Sequence, residues 1–413
     1  MIPHIGPVRL EFVLFALTLV GVALFHTKTM WVALGGLTSV LIFKWIFIPD
    51  FSLFTHIVGG HGHEGEWRTL LNLLGLLFGF AILAKHFEES NVPEMLPKYL
   101  PNGYWGSVAL LFFVFVTSSF LDNIAAAMIG GTIALVVFRG RVHIGYLAAI
   151  VAASNAGGAP SVVGDTTTTL MWIDGVSPLD VVHAIPGSLG AFLVFGFIGA
   201  YQQHRYQEIR SDAAPGIRAD SGKLLIVFLI LALAITTNWA LDFPAAGVWI
   251  AIFIGATFRK TPWSELRKAW QGTVFLMSLV LCASLMPVEQ LPAASWITAF
   301  GLGFVSAVFD NIPLTKLCLV QGGYDWGMLA YAVGFGGSMV WFGSSAGVAL
   351  SNQFPEAKDV FQYVKNGWHV ALAYVVGFAI ILGMLGWQPH PPHKKSPTAN
   401  TVDIHHSVTE SAE

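Results

Sequence analysis

The chain has 413 residues and a formal net charge of -3, with 55% hydrophobic and only 11% charged positions. An average soluble chain carries about 25% charged residues, so a soluble core is excluded, and no nucleic-acid partner is expected. The apolar residues come in segments of about 16 to 25, the length a helix needs to cross roughly 30 Å of hydrocarbon.

These segments predict an all-α polytopic membrane protein. A β-barrel would show ten-residue stretches of alternating polarity, and none is present. Cys282 and Cys318 lie in apolar segments without a spacing partner, which supports neither a disulfide framework nor a zinc site.

In chain order, MIPHIGPVRLEFVLFALTLVGVALF lacks a basic leader and a small-residue cleavage site, so it reads as a retained helix. Spanning helices are expected at 9–25, 29–48, 69–87, 144–173, 179–202, 224–241, 243–258, 271–288, 326–350 and 369–387. Two further stretches, 103–138 and 293–320, each hold an acidic residue near the middle and read as hairpins that turn back inside the membrane. The loop His56 to Trp67 carries His56, His61, His63, Glu64 and Glu66 without helical or finger spacing, so no metal site is expected there. Trp31, Trp67, Tyr104, Trp172 and Trp387 read as interfacial anchors. From 388 the Pro/His-rich tail is expected to be disordered.

Basic residues set the orientation, because Lys and Arg near helix ends stay in the cytoplasm. Arg139, Arg141, Arg205, Arg210, Arg218, Lys223, Arg259, Lys260, Arg267, Lys268, Lys358 and Lys365 fall on one side of this segmentation. That side is assigned to the cytoplasm, with the 56–67 loop and both termini outside. Lys394 and Lys395 run against the rule.

The sequence repeats itself. Residues 118–124 read SSFLDNI and residues 306–312 read SAVFDNI, each with a Ser four positions before Asp-Asn. Gly157, Gly158 and Gly164 recur in spacing as Gly336, Gly337 and Gly343. Two inverted repeats follow from the expected topology, each with a re-entrant hairpin and then a glycine-broken transmembrane helix. The expected division is 1–58 N-terminal helices, 59–202 repeat 1, 203–223 cytoplasmic linker, 224–387 repeat 2 and 388–413 tail.

Asp122, Asp165, Asp310 and Lys316 sit at or near membrane depth, where a charge costs about 2.5 to 3.5 kcal/mol and marks function by default. Lys316 could instead neutralise one of the aspartates as a purely structural pair. In SNAGGAPSVVGDTTTTLMWI (154–173), three glycines and Pro160 predict an unwound backbone. Exposed carbonyls, with Asn155, Asp165, Thr166 and Thr167, would give a hard cation the oxygen donors it prefers. Asp165 also suits an N-cap, and the two roles are compatible. Asn123 and Asn311, following the hairpin acids, could close a turn or bind substrate. In the second half Ser344 and Ser345 stand where the first half has Asp165, and Pro313 is expected to act as a breaker absent from the first hairpin.

The paired DN hairpins, SNAGGAPSVVGDTTT and FGGSMVWFGSSAGVALSN (335–352) resemble the NhaD-type sodium/proton antiporters of the ion transporter superfamily, which includes citrate carriers and arsenite permeases. The resemblance covers roughly 60–385. It implies the two-hairpin inverted-repeat fold and a cation-coupled carrier, with functional polar residues at Asp122, Asn155, Asp165, Thr167, Asp310, Asn311 and Ser344. Lys316 departs from that pattern.

The combined expectation is a sodium/proton antiporter of the inner membrane, multi-pass and without cofactor, in which sodium and protons compete for carboxylates. The candidate ion-binding residues are Asp122, Asn123, Ser154, Asn155, Asp165, Thr166, Thr167, Asp310, Asn311, Lys316, Ser344 and Ser345. Sodium itself is expected at Asp122, Asn155, Asp165, Thr167 and Asp310. Expected partners are lipid and small inorganic ions, with a homodimer as one compatible assembly. A cation-coupled carboxylate or arsenite carrier, with Lys316 as counter-charge, is the alternative. A membrane enzyme finds no nucleophile and base pairing to support it.

Overall fold

The computed structural model describes residues 3–5, 8–25, 28–49, 51–60, 63–209 and 218–390. Its elements are almost all helical. An N-terminal pair, α1 (Leu10–Leu24) and α2 (Thr29–Phe47), is followed by α3 (Leu53–Val58), a two-residue antiparallel pairing of Gly59–Gly60 with His63–Glu64, and α4 (Trp67–Glu88). Then come α5 (Val92–Tyr99), α6 (Tyr104–Thr117), α7 (Asn123–Val137), α8 (Ile144–Gly158), α9 (Thr166–Ile173), α10 (Pro178–Val182) and α11 (Ile185–Tyr206). The second part holds α12 (Ser221–Leu241), α13 (Pro244–Phe258), α14 (Ser264–Ser284), α15 (Trp296–Ser306), α16 (Asn311–Gln321) and α17 (Trp326–Leu329). It ends with α18 (Ser345–Gln353), α19 (Val360–Asn366) and α20 (Trp368–Leu385).

Among the described residues five helical runs are long and apolar enough to cross a bilayer: α2, α4, α10 with α11, α12, and α20. Trp45 on α2 is 79% exposed and Trp239 on α12 is 87% exposed. Indoles so bare are at home in lipid and not in water. The centre is the reverse: α8 is buried from Gly145 to Gly158, α16 from Asn311 to Leu319, and Trp326–Phe335 throughout. Around it, α4 packs on α12, α13 and α14, while α11 packs on α20, α8 and α6.

Four predicted segments are interrupted, and a polar residue opens the second helix of each. Asp122 caps α7 by accepting from Ile124 N, and Asp310 caps α16 by accepting from Ile312 N. Asp165 caps α9 through Thr167 N, and Ser344 caps α18 through Gly347 N. Such a cap stabilises a helix start by about 1 kcal/mol and satisfies an amide that would otherwise be orphaned. The expected span 144–173 therefore breaks at 159–165. The expected span 326–350 breaks at 336–344, after a π-helical turn over Ala330–Phe335.

Three expectations need correction. Pro313 does not break its segment: it lies in the first turn of α16, where a missing amide costs no intrahelical bond. Trp172 is only 4% exposed and belongs to the core, so it is no interfacial anchor. Residues 388–390 are tied down, Gln388 N donating to Asp325 Oδ2 and His390 N to the Tyr324 carbonyl. The remaining tail, from 391, lies outside the described residues.

Candidate functional site

The two breaks approach each other through one asparagine. Asn155, buried near the end of α8, donates from Nδ2 to Ser338 Oγ at 2.9 Å and to Ser344 Oγ at 3.2 Å. Its Oδ1 accepts from Asn123 Nδ2 at 3.0 Å, and Asn123 also donates to Asp165 Oδ1 at 3.1 Å. Thr166 Oγ1 donates to Asp122 Oδ1 at 3.3 Å. Asp122 and Asp310 both act electrostatically on Asp165, so the three acids share one neighbourhood.

Matching hydroxyl contacts hold the two breaks. Ser118 Oγ donates to the Ser154 carbonyl at 2.5 Å, and Ser306 Oγ to the Val333 carbonyl at 2.7 Å. Both donors lie four residues before an aspartate, and both acceptors three residues before a Gly-Gly pair. A side chain at Gly157 would collide with the Phe115 carbonyl, and one at Gly336 with the Gly303 carbonyl. Glycine is required at both because backbone touches backbone.

The carbonyls freed by the first break are largely taken up. Thr168 Oγ1 donates to the Ser161 and Asp165 carbonyls, Thr169 Oγ1 to Val162, Ser119 Oγ to Gly157 and Ser161 Oγ to Ser119. Thus the TTTT run closes its own break. What stays open is side-chain oxygen: among the described residues, Asp165 Oδ2 and Thr167 Oγ1 are buried without a hydrogen-bond partner. A side chain at Gly334 would come within 3.0 Å of that Asp165 oxygen, so the π-helical turn walls this pocket.

A cavity of about 820 Å³ leads to Asp122 and Asp165. Asp122, Asp165, Thr166 and Thr169 line its inner end, and its walls come from α4, α7 and α14. Lys85, Glu88, Glu94, Glu265 and Lys268 line it at the outer ends of α4, α5 and α14. Four of these form two local pairs, Lys85–Glu88 at 2.6 Å and Lys268–Glu265 at 2.7 Å. The cavity thus runs from charged side chains at one end, between mostly apolar walls, to buried hard-oxygen donors that suit a small cation or a proton.

A family model described as citrate transporter matches residues 8–336. The chain belongs to the citrate transporter family. Among its relatives is "Sodium/proton antiporter 1" of Arabidopsis thaliana, 28% identical over 375 residues, which cover 80% of this chain and 62% of that protein. This chain therefore spans under two thirds of the plant relative. "Na(+)/H(+) antiporter NhaD" of Vibrio parahaemolyticus is 25% identical over 72% of this chain and 86% of its own. The protein of that name from Alkalimonas amylolytica is 25% identical over 84% and 83%. With the expected NhaD-type resemblance matched by relatives of that name, this family member is a multi-pass membrane protein and a secondary transporter.

Most candidate residues of this transporter gather at the breaks: Asp122, Asn123, Asn155, Asp165, Thr166, Thr167, Asp310 and Ser344, with Asn311 and Ser345 opening α16 and α18. Two do not act as expected. The Ser154 hydroxyl turns back to the Val151 carbonyl at 2.9 Å, leaving only its own carbonyl to meet Ser118. Lys316 is fully buried, yet its Nζ reaches Glu66 Oε2 at 2.9 Å and Asp174 Oδ1 at 3.2 Å, so its observed ion pairs are with neither Asp122, Asp165 nor Asp310. Ser118, Ser306, Thr168 and Thr169 as structural donors, and Ser338 as the acceptor for Asn155, were not singled out from sequence. The Ser placed identically before both Asp-Asn pairs was the available signal. Within the histidine loop, His61 lies outside the described residues. Among those described, no group of three His, Cys, Asp or Glu residues is arranged to hold a metal.

Proposed function

We propose that the chain is a sodium/proton antiporter of the inner membrane, in which one buried carboxylate pocket takes sodium or a proton in turn. The observation that carries this reading is the unpaired Asp165 Oδ2, buried with the unpaired Thr167 Oγ1, on a carboxylate that lines a mostly apolar cavity with charged side chains at its outer end. A carboxylate oxygen removed from water without a donor is costly as a free anion, and a proton or a bound cation relieves that cost. Asp122, Asp310, Asn155 and Ser344 complete the set, so the two cations compete for the same oxygens. Antiport follows if the site faces the two sides alternately.

The inverted-repeat architecture is part of the proposal. Helices α15 and α16 have 11 residues each, about 16 Å at 1.5 Å each and well short of a roughly 30 Å span, and α6 and α7 are separated only by the break that Asp122 closes. Hairpins returning to their side of entry fit those lengths. The division expected above is retained, with repeat 1 over 59–202 and repeat 2 over 224–387. Because Lys268 at the cavity mouth belongs to the basic side, the conformation is assigned as open to the cytoplasm.

A cation-coupled carboxylate carrier is the second reading, favoured by the family's description and by a cavity large enough for an organic solute. Against it stands Lys316, the proposed counter-charge, which is already paired with Glu66 and Asp174. Everted vesicles scanned with sodium, lithium, potassium and dicarboxylates decide between them. Sodium-dependent proton movement lost in Asp165→Asn supports antiport; solute uptake without it supports the second reading.

A further inference from the structure

The buried cation that the ion pocket does not use stands at the other end of the same helices. Along α4 the cavity is lined from Leu73 to Glu88, whereas Glu66, its N-cap, lies roughly 10 Å before Leu73 at 1.5 Å per residue. Along α14 the cavity is lined from Glu265 to Leu276, whereas Ser284 at the opposite end contacts His56 Nε2 at 3.0 Å. Asp165 opens α9 and Asp174 closes it, roughly 13 Å further on. Lys316 bridges Glu66 and Asp174 at this far end, and Thr69 Oγ1 donates to Asp174 Oδ1 at 3.3 Å.

We infer that Glu66, Lys316 and Asp174 form a closed gate on the side of the ion pocket away from the cavity. The cluster joins α4 to the two short helices that start at Asp165 and Asp310, so it ties both site-bearing pieces to the wall of the cavity. Lys316 is fully buried, so the cluster is closed to solvent at its centre. A lysine buried between two carboxylates is held by charge and hydrogen bonds together, and removing one partner weakens the closed arrangement selectively. The pocket can meet the far side only after these pairs part. In the cycle, breaking them is coupled to closing the cavity between α4, α7 and α14.

This inference rests on the alternating-access reading of the proposed function but not on the identity of the ion. The test uses thiol labelling of the full chain in membranes. Cys318, two residues beyond Lys316 on α16 and buried, reports the far side in a Cys282→Ser background, and Met128→Cys reports the cavity. Glu66→Gln is expected to raise Cys318 labelling by an impermeant reagent about fivefold while lowering labelling at position 128, as a shifted two-state equilibrium requires. Asp174→Asn is the second variant, should the first fail to reach the membrane. Labelling that rises at both positions indicates general loosening and overturns the gate. Labelling unchanged at both, in a variant present at normal levels, overturns it equally. Sodium/proton exchange is scored separately on the same vesicles, so its absence contradicts the antiport reading while leaving the gate result intact.

Discussion

Asn155 Nδ2 lies 3.2 Å from Ser344 Oγ and 2.9 Å from Ser338 Oγ, two hydrogen bonds that join the end of α8 to the second break at 336–344. The same carboxamide accepts from Asn123, which in turn holds Asp165. The candidate ion ligand Asp165 is therefore tied, through Asn123 and Asn155, to two hydroxyls of the second break.

Asn155→Ala removes the donor to Ser338 and Ser344 and the acceptor for Asn123. Leaving buried partners unsatisfied costs about 1 to 3 kcal/mol each. Transport by Asn155→Ala is expected to fall at least tenfold, whereas Ser344→Ala, which leaves the Ser338 contact, should fall less. Initial rates in vesicles at matched protein levels give the comparison, and equal losses would contradict the linking role.

Much of this was legible in the residues. Asp-Asn twice, with Ser four positions earlier, located both capped half-helices, and the glycine spacing located both breaks. The cross-half contact was not legible, because Asn155 and Ser344 are 189 positions apart and no pattern encodes their register. Lys316 was misassigned for a similar reason. Its depth was readable, but its partners Glu66 and Asp174 come from a helix cap and a helix end that looked like ordinary loop acids.

The steric case for the glycines can be tested against a control. Gly336→Ala would place a methyl group against the Gly303 backbone, which cannot swing aside, and should destabilise by about 1 to 3 kcal/mol. Gly301→Ala, on α15 with open space around it, should be neutral or slightly stabilising, by up to about 1 kcal/mol. Apparent melting temperatures in detergent are expected to separate the two variants, and similar values would remove the close-approach argument.

Outside the membrane, Lys223 hydrogen-bonds to Glu89 Oε2 at 2.7 Å and holds its carboxyl below the ordinary glutamate range. A carboxylate so held adds stability above its unfolded pKa and loses it as the pH falls through the lowered folded value. Being partly solvent-exposed, this pair is worth no more than about 1 kcal/mol. Glu89→Gln should therefore melt slightly below the parent above about pH 5, and the gap should shrink as the pH falls below the ordinary glutamate range through the lowered folded value. A gap that widens on acidification would contradict the sign.

The competition of two cations for one set of oxygens is tested most directly by following protons while sodium binds. Purified protein in weak buffer near neutral pH, titrated with sodium chloride, is expected to release protons saturably, while choline chloride releases none and Asp165→Asn abolishes the response. Saturable sodium binding without proton release, or release unchanged in Asp165→Asn, would contradict the account.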